Sequence, residues 1–430
     1  MNRFYKILIT LMLCSSFCAD ISAHEKTDSI HLNSEIINDS LFFLQDSVLK
    51  IQDTLLIEQS NVKTNSSDLS WLINKFPPWL QDYANSLLNG HIDRTFERKV
   101  DLSFSVIPAY SKEGGFAIVG AITGLYRTNC NDSILKPSDF IASLNASWHD
   151  AYTAYIKGNH LFSDHKSRIS YAAEAYRKRL YFWGITADET ANNPRSEYVR
   201  RQIDLQTEYI YNINRNFFTG VQIRANYTDA VNIRNPEYLS NVRKQYYVTG
   251  VGLSFEFDTR NHLITSTKGI HIAYKPMIYP QFLGDAGATF HSHNFIFNGY
   301  LKMWKGSVLA FDLYSKFNSD YTPWTMREMI AADNTRMRGY YMGSVIDNNQ
   351  ITVQIEYRQH IWSRFGLVLW GGYGTLFHDF NALKNYKELQ FFPNYGIGLR
   401  FEFKNRVNIR ADYGFGKGSS GLILTIGEAF

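Results

Sequence analysis

ITVQIEYRQHI, residues 351–361, alternates without a break. Ile351, Val353, Ile355 and Tyr357 fall on one side of an extended chain, and Thr352, Gln354, Glu356 and Arg358 on the other. RVNIRADYGFG (406–416) repeats the scheme, with Val407, Ile409, Ala411, Tyr413 and Phe415 set against Arg406, Asn408, Arg410, Asp412 and Gly414. So do YGIGLRFEFK (395–404) and, far upstream, KVDLSFSVI (99–107). About sixteen such segments, most of them roughly 9–14 residues long, run from Lys99 to Phe430, joined by turn-like stretches such as FSDHKS, NINRN and WSR.

A soluble β-sandwich also alternates. Three features favour a membrane instead. The segments approach the roughly 9–11 residues that cross a bilayer, the polar face is too charged for a dry core, and the chain closes on an apolar strand. The expected fold is all-β, a 16-stranded antiparallel transmembrane β-barrel. In its final segment GLILTIGEAF (421–430), Leu422, Leu424, Ile426 and Phe430 lie on one side and are expected to face lipid. This strand must meet the first, because unpaired backbone inside hydrocarbon is costly.

Composition agrees with that class. Aromatic residues make up 15% of the 430 residues, yet the mean hydropathy is −0.27, as alternation of apolar and polar residues produces. A net charge of +4 is too small to argue for nucleic acid. The start, MNRFYKILITLMLCSSFCADISAHE, carries Arg3 and Lys6, an apolar stretch from Ile7 to Leu13, and Ile21-Ser22-Ala23 as a cleavage site, so residues 1–23 are read as a secretory signal. Lipid attachment at Cys14 is disfavoured by the bulky residues before it. Cleavage leaves Cys130 as the one mature thiol and no internal disulfide.

Residues 24–98 differ in texture. Gly90 is their only glycine, and Pro77-Pro78 separates two amphipathic pieces, SSDLSWLINKF and WLQDYANSLLNG, read as a linker with short helices. The barrel is assigned to residues 99–430.

Two motifs sharpen the reading. IGEAF resembles the aromatic-terminated signal of outer-membrane barrels. NTRMRGY (334–340) is similar to the (Val/Ile)-Arg-Gly-(Phe/Tyr) loop motif of the BamA/TamA superfamily of assembly and secretion barrels, also called bacterial surface antigens. FEFDTRNHLITSTKGIHIAY (255–274) resembles the same superfamily's strand end and restart, placing Asp258, Arg260 and Gly269 on matching positions. The resemblance covers about Lys99 to Phe430. It implies that the loop residues Met337, Arg338, Gly339 and Tyr340 fold into the lumen, and that the first and last strands part laterally to pass client protein or lipid.

Two departures follow. Residues 24–98 lack the strand pattern and glycine turns of the family's POTRA modules, so none is predicted and a periplasmic partner protein is expected instead. In relatives the loop arginine pairs with an aspartate, but Gly372 stands at that position here. Glu356, inward by alternation, is the expected partner of Arg338.

Enzyme signatures are thin. HSH (291–293) puts two imidazoles on one face without a third ligand, and GKGSSG (416–421) reads as a hairpin turn. No catalytic residue, metal or cofactor is expected, and the chain is read as a non-enzyme. The function expected is insertion or translocation of protein or lipid at the bacterial outer membrane through the seam, with outer-membrane lipid as a partner. The alternative is a passive small-solute pore.

Overall fold

The structure is a computed structural model that describes residues 77, 78, 81 and 95–430, apart from 112, 133–134, 150, 240–241, 333–334, 385–388 and 405–406. The signal segment and nearly all of the 24–98 linker lie outside the described residues.

Sixteen strands close one barrel: β1 Asp101–Ser111, β2 Gly115–Tyr126, β3 Ser138–Ser147, β4 Ala151–Leu161, β5 Ser167–Phe182, β6 Ser196–Asn214, β7 Phe217–Val231, β8 Gln245–Asp258, β9 Gly269–Tyr279, β10 Phe290–Lys302, β11 Ser307–Asn318, β14 Asn349–Trp362, β15 Phe365–Phe377, β16 Phe391–Lys404, β17 Val407–Gly416 and β18 Ser419–Ile426. Two short strands, β12 Glu328–Met329 and β13 Ile346–Asp347, form a separate hairpin within the segment between β11 and β14. Each barrel strand pairs antiparallel with its sequence neighbour, and β1 meets β18 to complete the ring. Closure excludes the sandwich, which keeps open edges.

Alternation becomes two physical faces. In β6, Ile203 and Leu205 point outward, with Leu205 49% exposed, while Asp204 is buried inside. Across the barrel Ile223, Leu253, Ile355 and Leu399 are likewise exposed outward. Such a belt is intolerable in water and suits hydrocarbon. The inner wall is charged but paired: Arg224 to Asp204 at 2.7 Å, Arg168 to Glu256 at 2.7 Å, and Lys275 to Glu256 at 2.8 Å. Leu205→Arg is therefore expected to cost about 2–4 kcal/mol, as for a cation at the midplane of the lipid face. Its neighbour Gln206 faces the lumen beside Asp204, so Gln206→Arg should be close to neutral. Urea unfolding in lipid vesicles measures both, and equal costs would reverse the assignment of faces.

Both strand ends nearest the termini share one rim, and the longest connections, 183–195, 232–244, 319–348 and 378–390, lie at the opposite rim. The first strand is longer than its sequence suggests, because it continues through Pro108, paired with Ile118, to Ser111. A proline keeps its place in a strand where its missing donor faces an unpaired edge, and β1 borders the least-paired edge of the barrel. Neighbouring strands elsewhere share long registers, such as Ser167↔Tyr211 to Phe182↔Ser196 between β5 and β6. Between β1 and β18 the register is the single pair Tyr110↔Leu424.

Candidate functional site

The segment 319–348 enters the barrel and crosses its lumen. On one side Trp324, Met329 and Ile346 pack against Leu180, Phe182 and Tyr198 of β5 and β6. On the other, Ile330, Met337, Tyr340 and Val345 pack against Leu376 of β15 and Phe392 of β16. Polar anchors fix the same seat. Arg200 of β6 donates to the Thr325 carbonyl at 2.7 Å, Lys316 of β11 pairs with Glu328 at 2.7 Å, and the Met342 amide donates to Glu113, in the turn after β1, at 2.7 Å. A short helix, α1 (Ala187–Asn192), is capped by Thr186, and its first amide donates to Asp347 of β13 at 3.0 Å.

Glycines on the inner wall make room for this segment. A Cβ on Gly414 of β17 would stand 2.6 Å from the Arg338 carbonyl carbon, and one on Gly339 would stand 2.6 Å from the Gly414 carbonyl carbon. Gly339 also has φ +105°, a left-handed backbone that side chains rarely adopt. The tip is tied down by Tyr340, whose hydroxyl donates to the Pro393 carbonyl at 2.7 Å and accepts from the Lys417 amide at 2.7 Å. Ser419 at the start of β18 donates to the Gly339 carbonyl at 2.7 Å.

Arg338 is fully buried at the centre. Its guanidinium donates to Glu356 of β14 and, at 2.8 Å, to Asp412 of β17, while its carbon lies 3.7 Å from the centre of the Trp370 indole ring. The two carboxylates lead onward. Glu356 also accepts from Arg358 at 2.9 Å, and Asp412 from Arg400 at 2.5 Å and Arg410 at 3.3 Å. Arg358 then donates to the Phe430 carbonyl at 2.9 Å, and Arg400 to Glu428 at 2.9 Å. One connected set of charge-assisted bonds thus runs from the loop tip to the last three residues.

Those last residues overturn one expectation. Leu422, Leu424 and Ile426 lie opposite Tyr413, Ala411 and Ile409, all on the outer face. Phe430 does not join them: it packs inside the lumen against Tyr300, Val308 and Ala310. The strand ends at Ile426, and Gly427, with φ +97°, turns the chain inward while its amide still donates to the Asn408 carbonyl at 2.7 Å. Glu428 is drawn in by Arg400 and by Asn408, the latter at 2.5 Å. A carboxylate with two inward donors outweighs the gain from placing one phenyl ring in lipid.

The remaining site residues sit apart from this network. Arg260 clasps Asp258 through two bonds, 2.9 and 2.7 Å, just past the end of β8. Gly269, with φ +108°, opens β9 where a Cβ would meet the Arg260 backbone at 2.8 Å. His291 and His293 lie on the outer face of β10, and His293 contacts the Tyr274 hydroxyl at 2.9 Å.

Several participants escaped the sequence reading. Asp412, in sequence one polar residue of an alternating strand, stands two strands further along the wall than Gly372 and accepts from Arg338 at 2.8 Å. Arg336, two residues before Arg338, reaches Asp312 of β11 at 2.7 Å and Asn298 supports the same carboxylate at 2.7 Å. Inward parity marked Asp412, Arg400 and Arg410 as lumenal; nothing in the sequence paired them.

Neither a protein-family model nor a curated protein matches the chain. Among solved structures the barrel is similar to BamA from Haemophilus ducreyi lacking POTRA domains 1–3, at 10% identity, over 76% of this chain and 70% of that one, with a TM-score of 0.49. It is also similar to CdiB from Acinetobacter baumannii, at 14% identity, over 77% of this chain and 60% of that one, with a TM-score of 0.48. A bacterial polysaccharide outer membrane secretin aligns at 9% identity over 76% of this chain and 95% of its own, with a TM-score of 0.37. The likeness is one of chain course.

Proposed function

We propose that the protein acts at the bacterial outer membrane, passing client protein or lipid between lumen and bilayer through a lateral seam between β1 and β18. The observation that carries this reading is the seam itself. It rests on the single register pair Tyr110↔Leu424, beside a tail that leaves the sheet at Gly427. Leu102, Phe104 and Val106, 46%, 64% and 60% exposed, line the β1 side of the parting. Each missing backbone bond lowers the cost of opening there relative to any other strand pair. The inward loop is wired to the same edge through Ser419 at the head of β18 and through Glu113 after β1. A passive pore needs an open lumen, and the 319–348 segment crosses it. We further propose that the protein is no enzyme and works with a periplasmic partner protein.

The test is a lock on the seam. From Tyr110↔Leu424, the antiparallel register sets Ala109 opposite Thr425, both on the inner side. Ser103 and Ser105, on the same inner face of β1, are out of register with Thr425 by several residues. A disulfide between Ala109→Cys and Thr425→Cys, with the exposed Cys130 replaced by serine, should abolish protein-assisted insertion of a urea-unfolded barrel into vesicles and transbilayer movement of a fluorescent phospholipid. Reductant should restore them. Full activity of both kinds with the crosslink verified would remove the seam mechanism.

A further inference from the structure

Register and parity assign every described strand residue to the inner or outer face, and charged side chains on the outer face concentrate in one place. Among the described residues they fall on β5, β6 and β7: Arg177, Arg179, Glu197, Arg201 and Asp229. All lie toward the rim of the long loops, above the apolar belt. Arg177 and Arg201 are direct register partners, which sets two guanidinium-bearing side chains next to each other on the outer face. The carboxylates nearby engage loosely, Asp229 at 3.6 Å from Arg201 and Glu197 at 3.9 Å from Arg179, with those two arginines about half exposed. With Arg195 over the Tyr181 ring at 4.6 Å, four guanidiniums share the patch with two carboxylates.

Directly below the arginine pair the wall is hollow. Ala154 and Ala175 are register partners, and Leu144 and Ile203 flank them on either side in the same row. Gly120 stands beside Leu144 in that row, where a Cβ would find open space. Small residues between larger ones leave an apolar groove of about 790 Å³ whose upper end is formed by Arg177 and Arg201.

We propose that this groove binds a phosphorylated lipid, with an acyl chain over Ala154 and Ala175 and the phosphate between Arg177 and Arg201. Guanidinium forks match phosphate oxygens in pairs, and one anion at the upper end of the groove can accept from both side chains. A neutral lipid would fill the groove without engaging the guanidiniums. The proposal rests on the outward belt facing lipid and is independent of the seam activity.

The test uses the full-length protein in a mild detergent, with lipid retention read by native mass spectrometry. The probes are phosphatidic acid, diacylglycerol with the same chains, and inorganic phosphate. Phosphatidic acid should be retained well above the other two, and its retention should fall as salt is raised from 50 to 500 mM while that of diacylglycerol stays level (roughly, over the range in which surface charges become screened). Arg177→Gln with Arg201→Gln should weaken phosphatidic acid about twenty-fivefold, at roughly fivefold per basic residue near an anionic lipid surface. Ala175→Trp, which fills the groove and leaves both arginines, should weaken it as well. Equal retention of diacylglycerol, or salt-independent binding of phosphatidic acid by the unaltered protein, would overturn the proposal. Tight binding of inorganic phosphate alone would also overturn it, by showing an anion site with no use for the groove.

Discussion

Asp412→Ala is expected to release the lumenal loop and to destabilise the barrel by about 3–5 kcal/mol, the cost typical of removing one partner from a buried ion pair. Asp412 accepts from Arg338, Arg400 and Arg410, so its loss leaves three buried guanidiniums sharing what remains. Arg338→Ala should cost less, because Glu356 keeps Arg358 and Asp412 keeps Arg400 and Arg410. The order of the two effects is the informative result, since simple loss of packing would make the larger side chain, arginine, the more damaging deletion. Urea unfolding in vesicles gives the stabilities, and protease cleavage within 319–348 reports loop release. The double variant should be less impaired than the sum of the two, by a coupling of roughly 0.5–3 kcal/mol. Strict additivity would mean that the contact contributes nothing.

A second large effect is expected at Gly414, where the obstacle is backbone. Any side chain there meets the Arg338–Gly339 peptide at 2.5–2.8 Å, and a main chain held by Tyr340, Ser419 and the ion network cannot yield by rotating a bond. Gly414→Val should therefore unseat the tip of the loop, at a cost of roughly 1–3 kcal/mol for an overpacked site, and raise single-channel conductance in planar bilayers from near closed to that of an open lumen. Gly371 provides the control, because it lies on the outer face of β15 with nothing within 4 Å of a Cβ. Gly371→Val should leave conductance unchanged. A folded Gly414→Val barrel that still blocks current would mean that the lumen is closed by something other than the seated loop.

The loop tip and the last three residues share one set of ion pairs. The same carboxylates that hold Arg338 hold Arg358 and Arg400, and those arginines hold Phe430 and Glu428 beyond the closing strand. Displacing the tail would redistribute charge at the loop, and a loop that withdrew would loosen the tail.

Period-two alternation determined the class of fold. Because side chains in a strand take opposite faces in strict turn, ITVQIEYRQHI and RVNIRADYGFG could be sorted into inner and outer residues from the sequence, and the outward set forms the exposed belt. Inward parity also marked Glu356 as a lumenal acid within reach of a loop arginine. The pairing of distant lumenal groups could not be read this way. Asp412 lies 74 residues from Arg338, and only the curvature of the closed sheet sets β17 beside the loop tip. Nor could alternation foresee Phe430, because a pattern of faces holds only while the chain remains a strand. Gly427 ends that condition, and the pull of Arg400 and Asn408 on Glu428, which no local propensity encodes, decides where the last residues go. The register at the seam was undetermined for the same reason: pairing between the first and last strands depends on how many residues the other fifteen pairings have already offset, a quantity that exists only once the barrel has closed.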